Sequence, residues 1–218
     1  MRIQVILKRV TFFKKETRNM MRWIYWLGWM SFGAAYRSIF GLRIVGAENL
    51  VTDGTVLVAS NHQSFLDPPL IGNLYQTEMY FLARKTLFVG FGKWLYKQWN
   101  AIPVDQDRPD MASLKTIIKL LQQGQRVLVF PEGERSENGK ILPGQPGIGL
   151  IVAKSGARVQ PVRISGAREA LPRGSGRIKF ARITVTIGPV IDFAADDTKS
   201  KDAYQKIADR IMSEISAL

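Results

Sequence analysis

The sequence predicts an α/β domain with a largely parallel central sheet flanked by helices, preceded by an N-terminal two-helix segment. Three observations carry this. Short apolar runs rich in β-branched residues, TVLVAS (Thr55–Ser60) and RVLVF (Arg126–Phe130), have the length and composition of buried strands. They alternate with stretches at helical spacing, the pattern of a parallel sheet with crossover helices. Ahead of both, WIYWLGWMSFGAAY (Trp23–Tyr36) is uncharged throughout and bracketed by Arg22 and Arg37.

In order, residues 1–22 mix apolar residues with many cations, and the Trp-rich run follows. A bilayer-spanning helix needs about 20 apolar residues, so this run is short. Its tryptophans and tyrosines favour the membrane interface, and its basic flanks favour anionic lipid. Residues 1–45 are therefore expected to form a membrane-interfacial two-helix segment, with a helix of the soluble core as the competing reading. The charged stretch ahead of the run is too long for a signal peptide.

The body is expected to span 46–218. GLRIVGAENL reads as a strand entering a turn, Thr55–Ser60 as a buried strand, and DPPLIGNLY as a helix with two prolines in its first turn. Glu78–Ala83 is an expected strand. Arg84–Gln98 has helical spacing interrupted by glycines. Ala101–Val104 is a short extended piece and Asp105–Asp110 a loop. MASLKTIIKLLQQ is an amphipathic helix stopped by Gly124. Arg126–Phe130 is a strand, Ile148–Lys154 a helix ended by Gly156, Arg158–Ile164 a strand, Ile178–Ile187 a longer strand, and Ala203–Ala217 the terminal helix.

Composition narrows function. The 218 residues carry a net charge of +13, so an anionic partner is expected. The absence of cysteine excludes disulfides and thiol catalysis, and a single histidine makes a zinc site improbable. GQPGIG (Gly144–Gly149) lacks the order of a nucleotide-binding loop. No zinc finger, helix-turn-helix or aromatic RNA-binding signature accompanies the charge, so nucleic acid is not an expected partner.

Two loops concentrate chemistry. NHQSFLD (Asn61–Asp67) follows the Thr55–Ser60 strand and holds the only histidine, His62, with Asp67 five residues on. By itself Asp67 reads equally as a helix cap. PEGERS (Pro131–Ser136) follows the RVLVF strand. In a parallel sheet both loops leave the same edge and can converge if the strands are close neighbours. Arg135 offers a planar fork of donors suited to phosphate.

These residues resemble the 1-acylglycerol-3-phosphate acyltransferase family and the wider glycerophospholipid acyltransferases. NHQSFLD fits the first block of that family, Asn-His-x-Ser-x-x-Asp. RKTLFVGFGKWLYKQWNAIPVDQDR is similar to the second, FPEGERS to the third and VQPVRISG to the fourth, in the family's order from Asn61 to Gly166. The chain departs from the pattern in three places. Asn100 stands where glycine is usual, Gln106 and Asp107 separate Asp105 from Arg108, and Glu134 stands where threonine is common.

The resemblance implies an enzyme that moves a fatty acyl chain from acyl-CoA or acyl carrier protein to the free hydroxyl of lysophosphatidic acid, giving phosphatidic acid in phospholipid biosynthesis. Residues 46–218 would be the acyltransferase domain. His62 would be the general base and Asp67 its partner. A free imidazole titrates near pH ~6.5, which suits proton removal from an alcohol. Arg135 would hold the acceptor's phosphate, with Arg84, Lys85 and Arg108 as further candidates. Glu132 and Gly133 would shape the acceptor pocket. Ser64 reads either as a loop hydrogen-bonder or as a helix cap, and Pro161 as shaping its strand. No metal or cofactor is implied, and the expected location is the cytoplasmic face of the cell membrane. Seven cations against Glu169 between 158 and 182 face the membrane, an acidic carrier or solvent. Two alternatives stay open: a related acyltransferase with another acceptor, such as lyso-ornithine lipid, and a nonenzymatic basic protein that binds membrane or nucleic acid.

Overall fold

The computed structural model describes residues 22–105, 111–194 and 200–218. In chain order the elements are α1 (Trp23–Ser38), β1 (Arg43–Val45), β2 (Val56–Ser60), α2 (Asp67–Gly72), β3 (Tyr80–Arg84), α3 (Gly90–Gln98), β4 (Ala101–Val104), α4 (Met111–Gln122), β5 (Val127–Val129), α5 (Pro146–Ser155), β6 (Arg158–Ser165), α6 (Ala167–Ala170), β7 (Thr184–Ile187) and α7 (Lys201–Ala217). Short 3-10 turns occupy Ala47–Asn49 and Lys85–Leu87.

The strands form one seven-stranded sheet in the order β1-β7-β6-β2-β5-β3-β4. The five from β6 to β4 are mutually parallel; β7 runs antiparallel to β6, and β1 runs parallel to β7. The largely parallel sheet is as the sequence implies. Strand β2 is fully buried, with Leu57 opposite both Val127 of β5 and Val159 of β6. Its alternate residues serve two cores, as the period of a strand requires. Leu57 and Ala59 pack with Ile117, Ile151 and Ile211 on the face covered by α4, α5 and α7. Val56 and Val58 pack with Leu70, Ile71, Tyr36 and Phe40 on the face covered by α2 and α1.

Several element boundaries differ from expectation for identifiable reasons. Residues 178–183 are not strand. The ladder starts at Thr184 because both neighbours end there: Ser165 is the last residue of β6, and Arg43 is the first of β1. The Arg84–Gln98 stretch divides into the end of β3, a 3-10 turn and α3, with Gly90 at φ +51 opening the helix. Pro103 is tolerated because β4 is an edge strand. Pro161 sits one residue before the β7 ladder, whose pair at that end is Val162 with Ile187. The GQPGIG glycines serve packing. A side chain at Gly149 would overlap the backbone of Tyr204, and one at Gly144 would crowd Met212.

Helix α1 is two-faced. Tyr25 Oη accepts from the Met79 amide at 3.0 Å, Trp29 Nε1 donates to the Tyr75 carbonyl at 2.9 Å, and Tyr36 Oη donates to the Leu66 carbonyl at 2.6 Å. On the other side Trp23, Trp26, Leu27 and Met30 are exposed. The core reading thus describes one face of α1, and the other face is exposed. No helix among the described residues is long and apolar enough to cross a membrane. The other helix expected in the N-terminal segment lies outside the described residues.

Candidate active site

Each loop of interest leaves the carboxyl end of a parallel strand, where open α/β sheets place their sites. His62 follows β2, Arg84 ends β3, Pro131–Ser136 follows β5, and Arg173 follows β6 by way of α6. Strands β2 and β5 are direct neighbours, so the two motif loops meet.

His62 is fixed from all sides. Its amide donates to Glu132 Oε1 at 2.8 Å, and its carbonyl accepts from the Ser136 amide at 2.9 Å. Both backbone polar groups are therefore held by the other loop. The ring stacks on Phe130, centroids 3.8 Å apart and planes 11° from parallel. Nδ1 lies 2.8 Å from Asp67 Oδ2. An ionised carboxylate only accepts, so Nδ1 carries the hydrogen and Nε2 is left to take a proton. The same Oδ2 accepts from the amides of Gln63 at 2.6 Å and Ser64 at 2.7 Å. Asp67 is fully buried, and three donors converge on that one oxygen. Its place at the first residue of α2 shows how one residue both begins a helix and orients the imidazole.

Glu132 is a strut between loops. Oε1 takes the His62 amide, and Oε2 takes the Leu142 amide at 2.9 Å. Burial pushes its carboxyl above the ordinary range, while those two amides act against the rise. Gly133 turns the chain at φ +77, a conformation that favours glycine.

Around this fixed centre lies a rim of arginines. Arg135 stacks over the Phe65 ring at 3.7 Å, within cation–π range. Arg173 donates to the Arg135 carbonyl at 3.2 Å and pairs with Glu137 at 3.2 Å. Burial lowers the Arg135 pKa first; Arg173 and Arg84 lower it further, against Asp67. Three guanidiniums close enough to repel are an arrangement that an anion between them would relieve.

A cavity of about 1030 Å³ joins these parts. His62, Arg84, Arg135, Arg173, Glu132 and Gly133 line it, as does Glu134. Its apolar wall includes Trp29 and Phe32 of α1, Phe81 and Leu82 of β3, and Ile148 and Ile151 of α5. It is large enough for a lipid-sized ligand. Ser64 does not reach it: the residue is buried, its Oγ donating to the Leu171 carbonyl at 3.1 Å and accepting from the Leu66 amide at 3.4 Å. Lys85 lies outside the lining, 3.9 Å from Asp105. Arg108 lies outside the described residues. No group of three or more histidine or acidic residues among the described residues is arranged to hold a metal.

The fold has a close counterpart. The crystal structure of the 1-acyl-sn-glycerophosphate (LPA) acyltransferase PlsC from Thermotoga maritima superposes with a TM-score of 0.70 at 24% identity, over 99% of this chain and 88% of that one. That likeness establishes the class: an α/β protein with the PlsC fold. The chain itself belongs to the Acyltransferase family, whose model matches residues 41–165. Among curated relatives, the chloroplast 1-acyl-sn-glycerol-3-phosphate acyltransferase of Arabidopsis thaliana is 31% identical over 78% of this chain and 49% of its own length. The protein of the same description from Bacillus subtilis is 29% identical over 74% of this chain and 80% of its own. The chain spans about half the length of the first relatives it matches.

Sequence reading missed Phe65, Phe130 and Arg173. Phe65 and Phe130 sit inside or beside the motif loops, but nothing in their spacing announces a ring stacked on a guanidinium or an imidazole. Arg173 lies beyond the family match. Its signal is positional, since it follows a parallel strand as the other site residues do.

Proposed function

We propose that this protein transfers a fatty acyl group from an acyl thioester, acyl-CoA or acyl carrier protein, to the free hydroxyl of 1-acylglycerol-3-phosphate. The single observation that carries the reading is the shared cavity. It places an imidazole backed by a buried carboxylate, three arginines and an apolar wall within reach of one ligand.

The acceptor's phosphate monoester sits among Arg84, Arg135 and Arg173. Its hydroxyl oxygen attacks the thioester carbonyl carbon while His62 Nε2 takes the hydroxyl proton. Asp67 stabilises the imidazolium through Nδ1–H. Collapse of the tetrahedral intermediate breaks the carbon–sulfur bond, and the imidazolium returns its proton to the departing thiolate. Proton count and charge close with no acyl group passing to the protein. A base placed in this way contributes about 10²- to 10⁴-fold.

Residues 1–45 are assigned to membrane association and 46–218 to catalysis, with the enzyme on the cytoplasmic face of the cell membrane. Support comes from the exposed aromatic face of α1 and the net charge of +13. Deleting residues 1–40 is a poor test of this, because Tyr36 and Phe40 belong to the core; substitutions at Trp23, Trp26 and Met30 address the outer face alone.

The test is purified protein with acyl-CoA and acyl carrier protein donors and a panel of lysophosphatidic acid, lysophosphatidylcholine and lyso-ornithine lipid, run beside His62→Ala. Phosphatidic acid should form from lysophosphatidic acid, and His62→Ala should slow its formation about 10²- to 10⁴-fold. Equal use of the zwitterionic acceptors would remove the phosphate assignment. Unchanged turnover by His62→Ala would remove the mechanism.

A further inference from the structure

Between α6 and β7 the chain makes a connection whose outer half the catalytic reading leaves unused. It starts fastened to the active site, where the Leu171 carbonyl accepts from Ser64 in the histidine loop and Arg173 bonds to Arg135. It ends just past α1, where the Ile183 amide donates to the Phe40 carbonyl at 3.0 Å. The stretch between spans the distance from the cavity mouth to the end of α1.

There the pattern is unusual for a solvated loop. Ile178 is 61% exposed and Phe180 is 88% exposed. They are interleaved with Arg177, Lys179 and Arg182, which have no acidic partner among the described residues. Exposed apolar side chains carry information when they form a contiguous patch. Phe180 also faces a small groove shared with Ile39 and Phe40, just past the last turn of α1, so the apolar surface continues from one element to the other. Apolar tips between unpaired cations match the headgroup and upper acyl layers of an anionic bilayer, the tips entering and the cations meeting lipid phosphates.

We propose that Arg177–Arg182 is a second lipid-contact element, separate from α1, that seats the mouth of the active site on an anionic membrane. The inference rests on the reading of the acceptor as a membrane lipid. It deepens that reading by naming how the cavity meets the bilayer. The element is bonded to the end of α6 through the Lys179 amide and the Ala170 carbonyl. The start of the same connection is bonded to Ser64 and Arg135 through Leu171 and Arg173, so docking the element brings the arginine rim to lipid.

The experiment is sedimentation of the full-length chain with vesicles of phosphatidylglycerol and phosphatidylcholine, and with phosphatidylcholine alone. Ile178→Ser/Phe180→Ser should weaken binding to both by about 10-fold or more. Arg177→Gln/Lys179→Gln should weaken binding to the anionic vesicles by about 5-fold per cation removed, and leave the neutral ones unchanged. Both variants should keep wild-type turnover on a short-chain lysophosphatidic acid that is monomeric in solution, which separates lost docking from lost folding. Unchanged vesicle binding by both variants would overturn the proposal. So would losses confined to acyl carrier protein binding, which would make the element a carrier dock, or a change confined to self-association. If the wild-type chain binds vesicles as described but acylates no lysolipid, the functional reading fails and the lipid-contact element stands.

Discussion

The histidine loop and the arginine rim border one cavity yet are built in opposite ways. His62 has its amide, carbonyl, ring face and Nδ1 all engaged, and its partner Asp67 is buried under three donors. The rim has much less support. Arg135 leans on a half-exposed phenylalanine, and Arg173 is held by one carbonyl and one exposed carboxylate. On the proposed reading, the base is organised before substrate arrives, as proton transfer requires, and the mutually repelling rim cations wait for a phosphate to supply the missing charge. Preorganisation would then lie at the chemistry and adaptability at recognition.

The largest effect should come from the fixed side. His62→Ala should lower kcat by about 10²- to 10⁴-fold with little change in KM, measured by steady-state turnover on lysophosphatidic acid. Asp67→Asn should fall in the same range, because the amide can no longer accept from all three donors and hold the tautomer. If His62→Ala instead raised KM alone, the division between chemistry and recognition would be wrong.

The rim should respond in the other parameter. Arg135→Gln removes a charge-assisted contact worth about 1.5–3 kcal/mol. KM for lysophosphatidic acid should rise about 10- to 100-fold, with kcat changed far less. Arg173→Gln should move KM in the same direction by a smaller factor, since Glu137 already compensates part of its charge. Equal losses of kcat in both variants would mean that the rim acts in the transition state, which would break the contrast.

The fixed side was also the more legible in the sequence. His62, Asp67, Glu132 and Gly133 lie in two short motifs behind two apolar strands, and local pattern locates them. Parallel topology lets the two loops converge only if their strands are close neighbours, and the pairing of Leu57 with Val127 supplies that condition. The rim depends on long-range placement. Lys85 looks equivalent to Arg84 in sequence, yet the 3-10 turn that begins at Lys85 carries it out of the cavity lining. Ser64 looks like a site residue, yet it points into the neighbouring loop. Residues 178–183 alternate like a strand, but no neighbouring strand extends far enough to pair with them.

A fourth arginine, outside the rim, calibrates the contrast. Arg22, just before α1, already has its carboxylate: Nε bonds both oxygens of Glu78 at 3.2 Å, and its amide donates to Oε1 at 2.6 Å. Burial pushes the Glu78 pKa up, but the Arg22 amide, the Asn100 side chain and the Arg22 guanidinium together bring it below the ordinary value. A lowered carboxyl adds stability above its unfolded pKa and loses it as pH falls through the folded one. Wild type should therefore exceed Glu78→Gln in stability at neutral pH, and the gap should close below pH ~4. Denaturant melts across that range would show it. The gap should be small because the cluster is partly exposed, and kinetic constants should hardly move. A change in KM comparable to that of Arg135→Gln would mean that partnered and unpartnered arginines are not distinct classes.

The smallest effect concerns Asn100, which stands where the family pattern has glycine. It is the only non-glycine residue among those described with a positive φ, +57. Asparagine tolerates that conformation better than other residues with a Cβ. Its side chain gives something glycine cannot: Nδ2 donates to Glu78 Oε2 at 2.8 Å, and Oδ1 accepts from Arg22. Asn100→Gly relieves the backbone and loses the bonds, so the two terms oppose and the net change should stay within about 1 kcal/mol. Asn100→Ala keeps the strained backbone and also loses the bonds. It should be the less stable of the two by about 1 kcal/mol or more. Thermal melts of the pair isolate the backbone cost, since the lost hydrogen bonds are common to both. If alanine proved the more stable, the substitution would owe nothing to the left-handed backbone, and the departure from glycine would have to be explained by the clamp on α1 alone.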